Sequence, residues 1–295
     1  MGVVALLAGA TGIAFAPLWV RWSQVGPSAT AFYRLLFALP VLWAWVGLEG
    51  RRTPPPSRPA TRQAFGLLAA AGFFFAGDLA VWHWSIKLTS VANATLFANL
   101  APIFVALGAR LWLAEKVSGV LVLGLGLALA GGVLVAGVSL SQTVRHLVGD
   151  GLGLATALFY ASYQLSIKRL RGSFSTGTIM AWSGVAACPA LWLVAGLSHE
   201  RLVATTATGW GVLLALALTS QVAGQGLITF ASAHLPASLL SVMLLVQPPL
   251  AALLAWALLA EPVRPLQVLG GTIVLLGIGL AGWKRELEPK PGPRP

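Results

Sequence analysis

Eight acidic residues occur in the 295-residue chain, and seven of them, Glu49, Glu115, Asp150, Glu200, Glu261, Glu286 and Glu288, fall at the ends of apolar segments or between them. Asp78 alone lies inside one. A charge in hydrocarbon costs roughly 3 kcal/mol even on lenient insertion scales, so Asp78 must face protein or a wet cavity and take a partner. The partner in reach is Arg34, a basic residue inside another apolar segment. Two uses of the pair are open. It forms a salt bridge that pins two helices, or it forms a site in which Arg34 holds a substrate carboxylate or Asp78 carries a proton. Helical spacing sets Trp82 on the same face as Asp78, with Phe74 and Phe75 a turn deeper. His83 and Trp84 also suit the membrane interface, where amphipathic rings collect without any ligand.

Uncharged polar side chains recur at helical spacing elsewhere. Tyr160, Tyr163 and Gln164 sit together in one segment, and Gln221 and Gln225 flank Gly224 in another. Amide groups in hydrocarbon must bridge helices or face a cavity. Thr95 and Asn99 lie on a stripe that ends at Pro102, matched by Ser241, Leu245 and Pro248. Each proline frees a backbone carbonyl, which protein or a solute must satisfy, so Pro102 and Pro248 are expected as structural hinges. The expected binding set is therefore Arg34, Asp78, Trp82, His83, Thr95, Asn99, Tyr160, Tyr163, Gln164, Gln221 and Gln225.

Catalytic chemistry finds little material. The four histidines, His83, His146, His199 and His234, scatter to segment ends, and the one cysteine, Cys188, lies in an apolar run. These give no acid–base cluster and no metal-ligand set, and no phosphate-binding glycine loop is present. No enzyme activity, metal or cofactor is expected, and ATP is not expected to be hydrolysed by this chain.

The elements that must carry these side chains are membrane spans. Of all residues 57% are hydrophobic and only 9% charged, against roughly a quarter charged in soluble domains. Such a chain cannot cover itself with a water-facing surface. Apolar stretches read as ten spans near 2–20, 28–48, 63–84, 91–113, 117–138, 149–169, 175–197, 209–233, 236–260 and 265–283, the first retained as a helix and not removed as a leader. The loop 49–62, with its consecutive prolines, is expected outside the bilayer, and the tail 285–295 is expected to be disordered. With the N-terminus inside, thirteen Lys and Arg fall on the cytoplasmic side and five on the other. That bias predicts cytoplasmic termini in a plasma (inner) membrane. The net charge of +11 is thereby a topology feature, and no nucleic-acid partner is expected.

An internal repeat organises the spans. Ser90 to Lys116 matches Pro236 to Pro262 at a constant offset that pairs Pro102 with Pro248 and Glu115 with Glu261, and a Gly-rich span follows each copy. The units are 1–138 and 149–284, five spans each. An odd number of spans makes the copies inverted, the usual arrangement for alternating access around a midplane site. The glycines of spans 5 and 10 serve intramolecular packing or a dimer surface, a homodimer being possible but not required.

This pattern resembles the drug/metabolite transporter superfamily, and specifically its EamA-type exporters. The residues that carry the likeness are Thr89-Ser90, Ala101-Pro102 and Leu113-Ala114-Glu115, their copies through Gln247-Pro248 to Leu259-Ala260-Glu261, and Arg34 in the second span. In character the chain is most similar to the YddG-type exporters of aromatic and other amino acids. The resemblance implies an all-α integral membrane protein of ten helices, in two inverted five-helix repeats around a central cavity, that exports small metabolites. Drugs or other metabolites are the alternative cargo, and a channel or a membrane scaffold is the alternative of another class. An aromatic, amide-bearing wall with one arginine suits a zwitterion better than a phosphate ester.

Overall fold

The computed structural model describes residues 1–51, 58–89, 97–136, 144–259 and 265–283. Ten helical segments run through them: α1 (Gly2–Trp22), α2 (Pro27–Glu49), α3 (Arg62–Leu88), α4 (Ala101–Trp112), α5 (Gly119–Ala136), α6 (Val144–Leu170), α7 (Thr176–Leu197), α8 (Ala207–Ser232), α9 (Ala237–Leu258) and α10 (Pro265–Trp283). Seven of them are long and apolar enough to cross a bilayer by length and composition. Helix is the form such segments take because each peptide group finds its partner within the segment, where hydrocarbon offers none. Starts are set by side-chain caps: Thr61, Ser175 and Thr206 accept from the amides of Ala64, Thr178 and Gly209. Large apolar side chains such as Leu111, Trp112 and Leu276 point outward, as expected of a surface that meets lipid.

The two halves pack against each other through antiparallel pairs of helices. Gly124 of α5 faces Gly277 and Ala281 of α10, while Gly131 faces Gly270 and Val274, so the two glycine-rich spans run in opposite directions. Likewise α2 lies against α7, with Leu39 at Gly184 and Val46 at Gly177. α1 lies against α8, with Gly2 at His234 and Gly12 at Thr219; α3 lies against α6, with Gly77 at Phe159 and Thr89 at Gly149. Pairs that join a helix to its own counterpart (α2–α7, α5–α10), or that are images of each other (α1–α8 and α6–α3), are what a two-fold axis in the membrane plane produces. The glycines of spans 5 and 10 that make these approaches are used within the chain.

Acidic residues at the span ends join the halves. Glu49, at the end of α2, accepts the Gly177 amide at the start of α7 at 3.1 Å. Glu200, just beyond α7, returns the contact by accepting the Ser28 amide at the start of α2 at 2.9 Å. Glu115, beyond α4, accepts from the Ala237 amide (2.8 Å), the Ser238 amide (3.2 Å) and the Ser238 hydroxyl (3.0 Å) on the first turn of α9. A carboxylate there satisfies orphan amides and complements the helix dipole. Among the described residues, the two non-glycine residues with positive φ are Ala114 (53°) and His199 (51°), each directly before one of these carboxylates. The left-handed turn costs about 1–2 kcal/mol, and it swings the next side chain back onto the partner helix.

Several spans that the sequence reads as continuous are broken. α1 is interrupted at Phe15, just before Pro17. α8 carries a π-helical stretch over Ala217–Gln225. α9 passes through a 3₁₀ turn at Leu244–Val246 before a new helix starts at Gln247, with Pro248 in its first turn. Pro102 occupies the same place in α4.

Close packing of α5 on α10 yields a test. A Cβ at Gly124 would lie 2.5 Å from the Gly277 carbonyl oxygen, whereas nothing lies within 4 Å of one at Gly126. Gly124→Val is expected to cost about 1–3 kcal/mol by overpacking, and Gly126→Val much less. Thermal unfolding of the two variants in detergent measures the difference.

Candidate functional site

Four broken helices meet at one cavity. Its wall is made by Ile13, Ala14, Ala16 and Pro17 of α1, Arg34 of α2, Phe75, Asp78, Leu79 and Trp82 of α3, and Ala98, Asn99, Ala101 and Pro102 at the head of α4. Thr156, Tyr160 and Gln164 of α6, Gln225 of α8 and Ser241, Leu244, Leu245, Gln247, Pro248 and Ala251 of α9 complete it. A water-sized body can move its centre through about 180 Å³ of this space. The lining residues of α1, α2 and α3 fall in the halves of those helices nearer Glu200, whereas Tyr160 and Gln164 of α6 and Gln225 of α8 fall in the halves nearer Glu115, so the cavity runs through the middle of the molecule.

Charge is placed deliberately within it. Arg34 is only 7% exposed, and its Nε donates to Oε1 of Gln221, which is 2% exposed, at 3.0 Å. Its guanidinium also lies 5.8 Å from the centre of the Phe75 ring, on whose electron-rich face a cation is favoured. Asp78 lines the same cavity within electrostatic reach of Arg34. Among the described residues, however, no guanidinium–carboxylate bond links the two. The salt-bridge reading of this pair is therefore replaced by a different geometry: an anchored cation and a carboxylate facing one space.

Other expected binding residues divide by location. Trp82, Asn99, Tyr160, Gln164 and Gln225 line the cavity with Arg34 and Asp78, as do Pro102 and Pro248. Tyr163 does not; it is fully buried behind the wall, stacked on Phe75 at 4.5 Å, because it points a helical step away from Tyr160. Gln221 also stands behind the wall, as the acceptor for Arg34. His83 is 3% exposed and lies beside the Trp82 ring, outside the lining, since adjacent helical residues point about 100° apart. Thr95 lies outside the described residues. On α3 the residues that reach the cavity, 75, 78, 79 and 82, follow one helical stripe, and this excludes Phe74.

Gln247 is a residue that the sequence reading passed over as a site. It lines the cavity at the break in α9, and its Nε2, like Oε1 of Gln164, is buried without a hydrogen-bond partner. A buried polar atom left in that condition costs about 1–3 kcal/mol. Its signal in the sequence was there: an amide directly before Pro248, in a stretch of otherwise apolar residues.

The EamA-like transporter family matches residues 1–137 and 147–283. The chain belongs to that family. Among curated relatives it is similar to the pseudopaline exporter CntI of Pseudomonas aeruginosa, with 27% identity over 73% of this chain and 74% of that protein. It is also similar to a probable terminal-alkyne amino-acid exporter of Streptantibioticus cattleyicolor, at 26% over 90% of this chain and 88% of the relative. A riboflavin transporter of Rhizobium johnstonii is 29% identical over 90% of this chain and 85% of its own length. A crystal structure with 18% sequence identity superposes with a TM-score of 0.80 over 98% of this chain and 99% of the other, which shows the fold. The chain is thus a multi-pass membrane transporter of ten helices in two inverted repeats, and the cavity is the EamA protein's central space.

The Arg34–Gln221 contact can be tested directly. Gln221→Leu leaves a buried Nε–H of the EamA protein's arginine without its acceptor, at an expected cost of about 1–3 kcal/mol. Gln221→Glu keeps an acceptor and should lose less. Thermal unfolding of both variants, at equal lipid content, decides between them.

Proposed function

We propose that this EamA protein exports amino acids, aromatic ones included, across the plasma (inner) membrane by alternating access. The observation that carries the reading is that Arg34 and Asp78 face one cavity without a direct bond between them. A zwitterion supplies both missing charges: its carboxylate meets the Arg34 guanidinium and its ammonium meets Asp78, each a charge-assisted hydrogen bond. Phe75, Trp82 and Tyr160 offer ring faces and edges to an apolar or aromatic side chain. Asn99, Gln164, Gln225 and Gln247 offer amides for polar parts of the solute.

The direction comes from relatives named as exporters, one of them of an amino acid. The cargo of another, riboflavin, is an aromatic heterocycle, so drugs or other ring-bearing metabolites are the second reading. The excess of basic residues in the loops on one side supports cytoplasmic termini. Pro102 and Pro248 stand at corresponding helix breaks and are the places where α4 and α9 would flex. A homodimer is possible and not required.

Counterflow in proteoliposomes tests this. Labelled phenylalanine and leucine should exchange against the same unlabelled solute. Asp78→Asn should raise KM by roughly tenfold or more, the worth of a charged hydrogen bond. No amino-acid flux at all, together with flux of riboflavin, would favour the second reading. Running the assay with and without a pH gradient asks whether Asp78 also carries a proton, and indifference of the rate to the gradient excludes that role.

A further inference from the structure

Packing divides the cavity wall into two trios of helices. α1, α8 and α9 make one side, and α3, α4 and α6 make the other. Within the first trio Ser220 Oγ donates to the Gly12 carbonyl at 3.0 Å, and Trp19 Nε1 to Thr219 Oγ1 at 3.0 Å. Within the second, Ser85 Oγ donates to the Gly149 carbonyl at 2.7 Å and Thr89 Oγ1 to Asp150 at 2.7 Å. The remaining pair, α2 and α7, is tied at both ends at once, by Glu49 on one face and Glu200 on the other.

Among the described residues, bonds cross from trio to trio on the Glu115 face. Glu115, of the second trio, holds the first turn of α9 by three hydrogen bonds. Lys168, at the end of α6, donates to the carbonyls of Ser232 (2.9 Å) and Leu235 (2.6 Å), at the end of α8 and the turn into α9. One helical turn above Ser238 stands Ser241, which is on the cavity wall. The cap therefore lies one turn beyond the cavity wall, on the Glu115 face.

We propose that Glu115, assisted by Lys168, is the gate residue of the Glu115 face: its cap on α9 holds the two trios together there, and each transport cycle must break it. The proposal rests on the alternating-access reading above. Ala114, held in a left-handed conformation, gives the gate its shape, because that turn aims the Glu115 carboxylate at α9. The chemistry suits a gate. A carboxylate on backbone amides is strong enough to hold, yet both groups gain water as partners when they part.

Cysteine accessibility tests the proposal. In a Cys188→Ala background, Ser241→Cys reports the cavity and Lys116→Cys marks the Glu115 face. A membrane-impermeant maleimide is applied to each face of vesicles, for the parent and for Glu115→Ala, Glu115→Gln and Lys168→Met. Loss of a helix cap shifts a two-state balance by roughly tenfold. Glu115→Ala should therefore speed labelling from the Glu115 face by about that factor and slow it from the opposite face, with Glu115→Gln and Lys168→Met intermediate. Faster labelling from both faces would mean a loosened fold and would overturn the gate, as would rates that do not change. If the parent is labelled from both faces but Glu115→Ala changes nothing, the gate fails and alternating access stands. If the parent and every variant are labelled from one face only, even with solute present, alternating access fails as well.

Discussion

Hydrocarbon offers the peptide group no partner, and most of this structure follows from that single constraint. Every segment inside the bilayer must close its own hydrogen bonds, which makes it a helix. Every departure from helix must then occur where protein or a wet space can supply partners. The interruption at Phe15, the head of α4, the π-helical stretch of α8 and the 3₁₀ turn of α9 all border the same cavity. The breaks do not weaken the bundle at random; they mark where its interior is polar.

The same constraint governs helix ends. First-turn amides near the interface are costly to leave bare, and here carboxylates from the other repeat take several of them. Because the repeats are inverted, a capping acid on one face has a counterpart on the other, as Glu49 and Glu200 do for α7 and α2. Stability of the individual helices and cohesion of the two halves are therefore one property. Arg34 shows the related rule for charge. Buried at the edge of the cavity, it is held by an amide and an aromatic ring, so its charge is kept for the space in front of it.

Much of this was legible in the sequence. Ten spans, their division into two copies and the isolation of Asp78 and Arg34 follow from composition and periodicity, since insertion into lipid filters segments one by one on their own hydrophobicity. Most of the cavity lining was legible too, because a polar side chain in an apolar span has few other uses. Tyr163 and His83 fall outside the lining for a geometric reason: each neighbours a lining residue in sequence but points elsewhere on its helix. Gln247 was passed over because a single amide raises no periodic pattern, although its place directly before Pro248 marks it.

What the sequence determined by itself was the membrane fold and its repeat, because these depend on the affinity of each segment for lipid and on local hydrogen bonding. Tertiary structure alone decided which polar residues meet. It gave Arg34 to Gln221 and not to Asp78, and it set Glu115 on α9 across the repeat boundary. Such choices rest on contacts between residues more than a hundred positions apart, fixed by packing angles and helix breaks to within an ångström. No local pattern in the chain encodes a distance of that kind.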